Sequence, residues 1–269
     1  MYATDFEYDG QYLSDFGFIV CQFDGSYGTN ITSAGSTITF NTVSMLNGKY
    51  HPITSTSYDT CLSSTFDICK NPDVNDDMII SQEEYRWLMR WLNRREFLRF
   101  SICDEEPNTD KVYYNASFNV EKIKIGERLC GLRLTLTTDK PFGYGELISE
   151  DIFVQTGLAP VTIIDQSDEI GMTYVNAIID SNTNGTITIH NSMNDKTVEI
   201  LGCFPDEVIT INGMLKTIET NRSDHDILND FNYVFPAIGN TYDSRENVLS
   251  FTAPCRITYE YYPIIKESI

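Results

Sequence analysis

Residues 81–100 are the one segment of this 269-residue chain with the periodicity of an α-helix. Ser81 is followed three residues later by Glu84, so the hydroxyl can accept from the Glu84 amide while the carboxylate accepts from the Ser81 amide. This capping box predicts a helix over about residues 82–94. With a single helix available, the rest of the chain must build its cores from strands, and the predicted fold class is mainly β.

Apolar side chains occupy more than one side of this helix. The stripe at helical spacing comprises Tyr85, Leu88, Met89 and Leu92. Two tryptophans widen it to an arc of roughly 200°. Two interpretations remain open: the helix covers one sheet face with its arginines in water, or its outer edge meets a second subunit. The candidate inter-subunit contacts on that edge are Trp87, Trp91, Arg86, Arg90 and Arg94.

The charge of the chain argues against one class of function. Its net charge is −20, from 39 acidic and 19 basic residues. Direct nucleic-acid binding needs clustered Lys and Arg to neutralise phosphates, and the sequence lacks such an excess. Hydrophobic residues make up 41% of the chain, and strand-favouring residues are frequent, which is typical of a folded β protein with buried cores.

Residues 141–145, with the sequence PFGYG, mark the best domain boundary because they combine proline with two glycines. The charge balance shifts at the same place. Residues 1–145 carry 13 basic and 20 acidic side chains, whereas residues 146–269 carry 6 and 19. We therefore expect an N-terminal β domain with the helix, residues 1–145, and a C-terminal domain, residues 146–269. Eight short strands predict an antiparallel sandwich for the latter.

The positions of the predicted strands and of one long irregular stretch give three further expectations. A strand over residues 6–10 and another after Asp15 predict an opening hairpin, and residues 58–68 contain one further strand. Residues 221–240 form the longest irregular stretch, which favours a contact surface there.

The seven cysteines are odd in number, widely spaced, and without a C-x-x-C pair or a neighbouring histidine cluster. They predict reduced thiols rather than a zinc or disulfide framework. The N-terminus has no secretory signal, and no run of 18 apolar residues occurs. We expect a protein that folds in a cytoplasm, with no cofactor and no membrane insertion.

The loop before the helix leaves one metal question open. Asp73, Asn75, Asp77 and Glu84 stand at positions 1, 3, 5 and 12 of a calcium loop. Position 6, where such loops have glycine, is Met78, and no helix is expected before the loop. The alternative is an acidic loop whose carboxylates suit the positive end of the helix dipole.

No motif of a nucleophilic hydrolase, a P-loop, a dinucleotide site or a zinc protease occurs. The histidines, His51, His190 and His225, have no Ser or Cys partner at an interpretable spacing. His225 lies between two aspartates, and we expect it on a surface loop. Glu105 and Glu106 could supply a glycosidase pair, but adjacent carboxylates in a turn are more often solvated. We expect no catalytic site.

Several short motifs follow one another in a specific order. They are SDFG at residues 14–17, Arg90-Trp-Leu92, Tyr113-Tyr114, TTDKPFGY at 137–144, ITIHN at 187–191, VITIN at 208–212, Phe235-Pro236, Asn247 and YEYYP at 259–263. This order resembles that of the distal tail proteins of siphophage-like tails. The resemblance spans nearly the whole chain and is strongest over residues 81–145; spacing and order, rather than any single motif, carry it.

The resemblance implies a ring-forming N-terminal domain, six copies of which close below the tail tube, and a galectin-like C-terminal sandwich. Such a hexamer would join the tail tube protein to the tail-tip protein, a tail-associated lysin or a fibre protein, and to receptor-binding proteins. DNA would pass through without specific binding. The protein would be a component of the virion tail, assembled in the host cytoplasm.

The alternative is a carbohydrate-binding β-sandwich module that recognises a host cell-surface saccharide. Sugar sites usually present an exposed aromatic side chain beside convergent polar groups, and both tryptophans lie in the other domain. The sequence leaves open whether the tail is that of a long-tailed phage or of a related tail-like particle.

Overall fold

The structure is a computed structural model that describes residues 4–23, 36–43, 53–58, 61–103, 111–155 and 159–267. The chain divides into two compact units. The first comprises Met1–Gly145 together with Ile265–Ile269, and the second comprises Glu146–Ile264. The C-terminal residues thus group with the first unit, whereas the sequence analysis assigned all of residues 146–269 to the second.

The first unit contains ten strands, one α-helix and a 3₁₀-helix among its described residues. The strands are β1 (Asp5–Tyr8), β2 (Gln11–Tyr12), β3 (Phe18–Cys21), β4 (Ile38–Thr42), β5 (Ile53–Tyr58), β6 (Ser63–Lys70), β7 (Leu98–Cys103), β8 (Tyr114–Ile125), β9 (Arg128–Thr138) and β10 (Gly143–Tyr144). The 3₁₀-helix spans Leu13–Phe16, and the α-helix, α1, spans Gln82–Leu92.

Seven of these strands form one antiparallel sheet in the order β2-β1-β7-β8-β9-β6-β3. The alternation in β9 shows how the sheet acquires two different faces. Leu132, Leu134 and Leu136 are fully buried on one face, while Arg133 and Thr135 point to the other. The buried leucines share one core with Leu88 and Leu92 of α1, so the helix covers the apolar face.

The predicted capping box is confirmed, and the structure ties it to the sheet. The Glu84 amide donates to Ser81 Oγ at 3.2 Å, and the Ser81 amide donates to Glu84 Oε2 at 2.7 Å. The second oxygen, Glu84 Oε1, pairs with Lys70 Nζ at 2.8 Å. Lys70 ends β6 and its side chain is largely buried, so one carboxylate both caps the helix and joins it to the strand.

Trp91 lies inside the core of its own unit and is only 3% exposed. Its Nε1 donates to the backbone oxygen of Tyr8 at 3.2 Å, and its ring stacks on Phe6 with centroids 5.8 Å apart. The apolar arc of the helix is wide because the 3₁₀-helix packs against it in addition to the sheet, to which β1 belongs. Phe16 of that 3₁₀-helix meets both tryptophans.

The second unit is built from short strands and one helical turn. Its strands are β11 (Ile148–Val154), β12 (Val161–Ile164), β13 (Gly171–Tyr174), β14 (Asn176–Ser181), β15 (Gly185–Asn191), β16 (Lys196–Cys203), β17 (Glu207–Asn212), β18 (Thr217–Thr220), β19 (Ala237–Asn240), β20 (Glu246–Phe251) and β21 (Cys255–Tyr261). The helical turn, α2, spans Ile227–Asp230, and β22 (Ile264–Ile265) follows at the end of the chain.

Two antiparallel sheets form the sandwich that the strand pattern predicts. The five-stranded sheet has the order β11-β21-β14-β17-β18, and the four-stranded sheet has the order β12-β20-β15-β16. Inward residues of both sheets, such as Ile179, Ile257, Ile187 and Ile200, share one hydrophobic core. A separate β13-β19 ribbon accompanies the two sheets.

Buried amides are fully paired in this core. The Asn247 side chain accepts from the Gly239 amide at 3.0 Å and from Asn191 Nδ2 at 3.0 Å, and it donates to the Gly239 carbonyl at 2.9 Å. Asn240 Nδ2 donates to Asp165 Oδ2 at 2.8 Å. Because an unpaired buried polar group is costly, these contacts fix the positions of β19 and β20.

Several sequence expectations need correction. β1 pairs with the short β2, while the strand after Asp15, β3, pairs with β6, so residues 6–20 are not one simple hairpin. Residues 58–68 include parts of two strands, β5 and β6. Strands β11, β13 and β19 were not predicted. The irregular stretch 221–240 contains α2 and β19.

We expect Ser81→Ala and Glu84→Gln each to destabilise the first unit by about 1 kcal/mol, because each removes half of the capping box. Glu84→Gln also leaves the Lys70 ammonium without its partner. The matched control is Glu83→Gln, an exposed carboxylate in the same turn. Urea unfolding followed by tryptophan fluorescence measures the effect, since both tryptophans lie in α1. Equal stability of Glu84→Gln and Glu83→Gln would contradict the assignment.

The same carboxylate predicts a pH dependence. Burial works to raise the pKa of Glu84, but hydrogen bonds from Lys70 and Ser81 outweigh it and hold the pKa below its usual value. A carboxyl whose pKa is lower in the folded state stabilises the fold above its unfolded pKa and loses that effect as the pH falls. The stability difference between wild type and Glu84→Gln should be complete at neutral pH and shrink below about pH 4. A difference independent of pH would contradict the ion pair.

Trp91→Ala should destabilise the first unit by about 3–5 kcal/mol, because it empties a packed aromatic site. Arg90→Ala, at the neighbouring exposed position, should change stability by no more than about 0.5 kcal/mol. Chemical denaturation followed by circular dichroism compares the two variants. Unchanged stability of Trp91→Ala together with impaired self-association would instead restore Trp91 as a surface contact.

Candidate assembly surfaces

The helix edge that the sequence singled out is only partly available to a second protein. The burial of Trp91 removes it from the candidate contacts, since its ring is enclosed by its own unit. Trp87 is half-buried, with its ring 4.0 Å from that of Phe16. Arg94 is engaged by Asp9, with Nη1 and Oδ2 2.8 Å apart.

Arg86 and Arg90 remain as the accessible part of this edge. Both are exposed, and neither has an ion pair within the described ranges. They lie one helical turn apart on the same side of α1. The surface that we call the α1 edge therefore consists of Arg86, Arg90 and the exposed part of Trp87, and it presents two unpaired guanidinium groups on an acidic protein.

A ribbon formed by β4 and β5 is a surface that the sequence analysis did not identify. The two strands pair only with each other in the described part of the chain. Ile38 lies opposite Tyr58, and Phe40 lies opposite Thr56, so the apolar residues of β4 share one ribbon face. Phe40 and Ile53 are each 59% exposed. An isolated two-stranded ribbon is marginally stable in water, and exposed apolar groups of this kind mark contact sites.

The signal for this ribbon was present in the sequence. Residues 38–42 alternate between apolar and polar side chains, as a strand with one covered face does. The first unit has one α-helix among its described residues, and that helix already covers the seven-stranded sheet. An alternating strand whose apolar face is not packed against another element of the same chain predicts a contact with a second molecule.

The second face of the seven-stranded sheet is polar. Its central side chains are exposed or half-buried and comprise Ser63, Thr65, Ser117, Asn119, Glu121, Arg133, Thr135 and Thr137. Thr65 and Thr135 place their hydroxyls 3.3 Å apart across neighbouring strands. Arg133 donates two hydrogen bonds to Asp67, at 2.8 and 3.0 Å. We call this surface the polar sheet face; its chemistry suits hydration rather than an apolar partner.

The loop before α1 does not have the geometry of a calcium site. Asn75 Nδ2 donates to the Gly17 and Asn71 carbonyls, and Glu84 binds Ser81 and Lys70. Asp77 Oδ1 accepts from the Ile79 amide at 3.0 Å. The described residues include no group of three or more His, Cys, Asp or Glu side chains placed to hold a metal ion.

His225 was expected on the surface, and the structure corrects this expectation. Its side chain is buried, with Nδ1 2.6 Å from Glu207 Oε1 and Nε2 3.0 Å from the Leu201 carbonyl oxygen. Burial works to raise the pKa of Glu207, but hydrogen bonds from Thr220, His225 and Phe204 hold it below the usual value. The pair lies within the fold of the second unit, where its contacts are structural.

The other residues considered for chemistry give no site. His190 contacts Thr197 and lies 3.8 Å from Asp195, without a nucleophile in this arrangement. His51, Glu105 and Glu106 lie outside the described residues. No helix in the described ranges is long and apolar enough to cross a membrane.

Comparison with known proteins identifies the family. The model of a phage tail protein N-terminal domain matches residues 1–140, and that of a phage tail C-terminal domain matches residues 142–261. No curated protein sequence matches the chain. Among solved structures, the Dit protein of SPP1, described as a paradigm of the hub adsorption apparatus in phages that infect Gram-positive bacteria, superposes with a TM-score of 0.66.

That superposition covers 96% of this chain and 98% of the Dit chain at 15% sequence identity, a level at which it establishes the fold. The two family matches together span both units. The chain therefore belongs to this phage tail protein family and has the fold of the Dit distal tail protein.

Proposed function

We propose that the protein is the distal tail protein of a phage or related tail-like particle, and that six copies form a ring. The ring joins the tail tube protein to the tail-tip protein, a tail-associated lysin or a fibre protein, and carries receptor-binding proteins at its circumference. The observation that carries this proposal is the end-to-end match to the Dit fold, together with family matches over both units. The role is structural and non-enzymatic, in a virion tail assembled in the host cytoplasm.

The exposed ribbon β4–β5 supports the ring. A cyclic assembly with more than two subunits uses heterologous contacts, in which one patch of each subunit meets a different patch of the next. The ribbon offers one such patch, because Phe40 and Ile53 gain from burial and because its strands have no other sheet to join in the described part of the unit.

The α1 edge supplies a second patch of different chemistry. Arg86 and Arg90 carry unpaired positive charge, while each neighbouring copy has a net charge of −20. Complementary charge of this kind guides association and orientation more than it adds affinity. We propose the α1 edge as the contact that sets the register between neighbouring subunits.

The polar sheet face suits the wall of a channel through which DNA moves. Its hydroxyl and amide side chains are exposed or half-buried, and its principal cation, Arg133, is already held by Asp67. A wall without free cationic clusters does not retain phosphates. This property supports passage of DNA without specific binding.

A double substitution on the ribbon tests the assembly. We expect Phe40→Ser with Ile53→Ser to shift the protein from a hexamer to smaller species, because the apolar contact is lost, while the thermal unfolding midpoint changes little for side chains that are already exposed. The matched control is Val74→Ser with Ile125→Ser, which removes two exposed apolar groups elsewhere in the first unit. Light scattering during size exclusion gives the masses, and negative-stain electron micrographs show the rings.

Two results would contradict the proposal. A wild-type protein that stays monomeric at high concentration, both alone and with purified tail tube protein, would exclude the ring. Wild-type-like rings of the ribbon variant would retain the ring but exclude the ribbon as its contact. Charge reversal of Arg86 and Arg90 to glutamate then tests the α1 edge by the same measurements.

A further inference from the structure

The second unit has an open side where the outermost strands of its two sheets lie next to each other. β11 is the first strand of the five-stranded sheet and pairs with β21; β12 is the first strand of the four-stranded sheet and pairs with β20. Across the described residues neither has a second ladder partner. A groove of about 430 Å³ lies between them, lined by residues 150–153, residues 161–164 and Gln166.

The groove combines a buried apolar floor with exposed apolar rims. Ile152 and Ile163 belong to the core, whereas Phe153 and Ile164 are 63% and 59% exposed. β11 pairs with β21 at seven consecutive positions without a register shift, and it contains neither proline nor lysine. Proline and bulges that would interrupt an edge are absent from β11, and the charge of Glu150, in phase with its inward residues, is the feature that guards it against apolar strands.

One unpaired carboxylate lies at this edge. Glu150 alternates with the inward residues Ile148 and Ile152, yet it is exposed, and its carboxylate has no ion pair or hydrogen bond among the described residues. The next carboxylate, Asp151, is already held by Arg256 at 2.7 Å and by the Thr258 hydroxyl. Glu150 is therefore the group of the groove that is free to select a ligand by charge.

Charge also disfavours self-pairing of β11 with a second copy of this chain in the register centred on Glu150 and Asp151. Antiparallel pairing of β11 with itself around residues 150 and 151 would place carboxylates opposite one another, which is destabilising. An apolar strand without a cation would bury Glu150 unpaired, at a cost in free energy. A strand that places Lys or Arg beside Glu150 avoids both penalties.

We propose that β11 binds an extended segment of a partner protein as an added strand, with a Lys or Arg of that segment paired to Glu150. An apolar side chain of the segment packs beside Phe153 on the outer face of the five-stranded sheet, and the backbone of β11 supplies the ladder. The acidic groove thereby selects basic, alternating segments and rejects purely apolar ones. This inference concerns the second unit alone and does not depend on ring formation.

Synthetic strands test the proposal on the full chain. The probe is a seven-residue peptide in which valine alternates with lysine; one comparison peptide has glutamate in place of lysine, and another has alternate backbone amides N-methylated. Biolayer interferometry gives affinities, and hydrogen exchange with mass spectrometry locates the site. We expect the lysine peptide to bind and to slow exchange in residues 148–154. The glutamate and N-methylated peptides should do neither, because they lack the cation or the ladder donors.

Matched charge reversals separate a site from general attraction to an acidic protein. Glu150→Lys should weaken binding of the lysine peptide about tenfold, through loss of one close charge pair. Glu219→Lys, on β18 at the opposite edge of the same sheet, should leave affinity unchanged. Equal weakening by both variants, or no protection of residues 148–154 at millimolar peptide, overturns the proposal. Protection there by a cell-wall saccharide but not by peptide also overturns it, and assigns the groove to sugar.

Discussion

A single helix covers a single sheet face in the first unit, and the other features of that unit depend on this constraint. An antiparallel sheet can leave one face in water provided that its outward residues are polar. β9 satisfies this condition, since its leucines lie under α1 while Arg133 and Thr135 lie on the polar sheet face. The chain supplies no second cover in its described part, so the apolar face of the β4–β5 ribbon stays exposed. In the proposed ring, neighbouring copies would cover these exposed apolar side chains.

The position of the helix is fixed by contacts that join near and distant residues. One oxygen of the Glu84 carboxylate accepts from the Ser81 amide in the helix cap, and the other pairs with Lys70 on β6. The same side chain therefore caps the helix and holds it against the sheet. Trp91 holds the C-terminal end of α1 in place. Its ring contacts Phe6 and Phe16, and its Nε1 donates to the backbone oxygen of Tyr8. These contacts orient α1 so that Arg86 and Arg90 point away from the sheet.

The two units differ in which of their charged side chains lack an ion-pair partner among the described residues. In the first, exposed cations on α1 face solvent on an acidic chain, which favours contact with an acidic neighbour. In the second, Arg256 and Arg222 are paired with Asp151 and Asp224, while Glu150 stands free beside the groove. One unit therefore offers unpaired positive charge and the other an unpaired carboxylate at a strand edge.

The sequence by itself determined the features that depend on local periodicity and local hydrogen bonds. These are the capping box at Ser81 and Glu84, the helix that follows it, the long alternating strands such as β9, and the mainly β class. Tertiary structure decided the rest, because strand partners, sheet edges and burial depend on residues far apart in the chain. Helical spacing placed Trp91 on an outer edge, but contacts with Phe6 and Phe16 bury it. The polar sequence around His225 suggested an exposed side chain, but His225 is buried against Glu207. The exposure of Phe40 and the groove between the unpaired edges of β11 and β12 likewise follow from which strands find partners, and local sequence does not encode that choice.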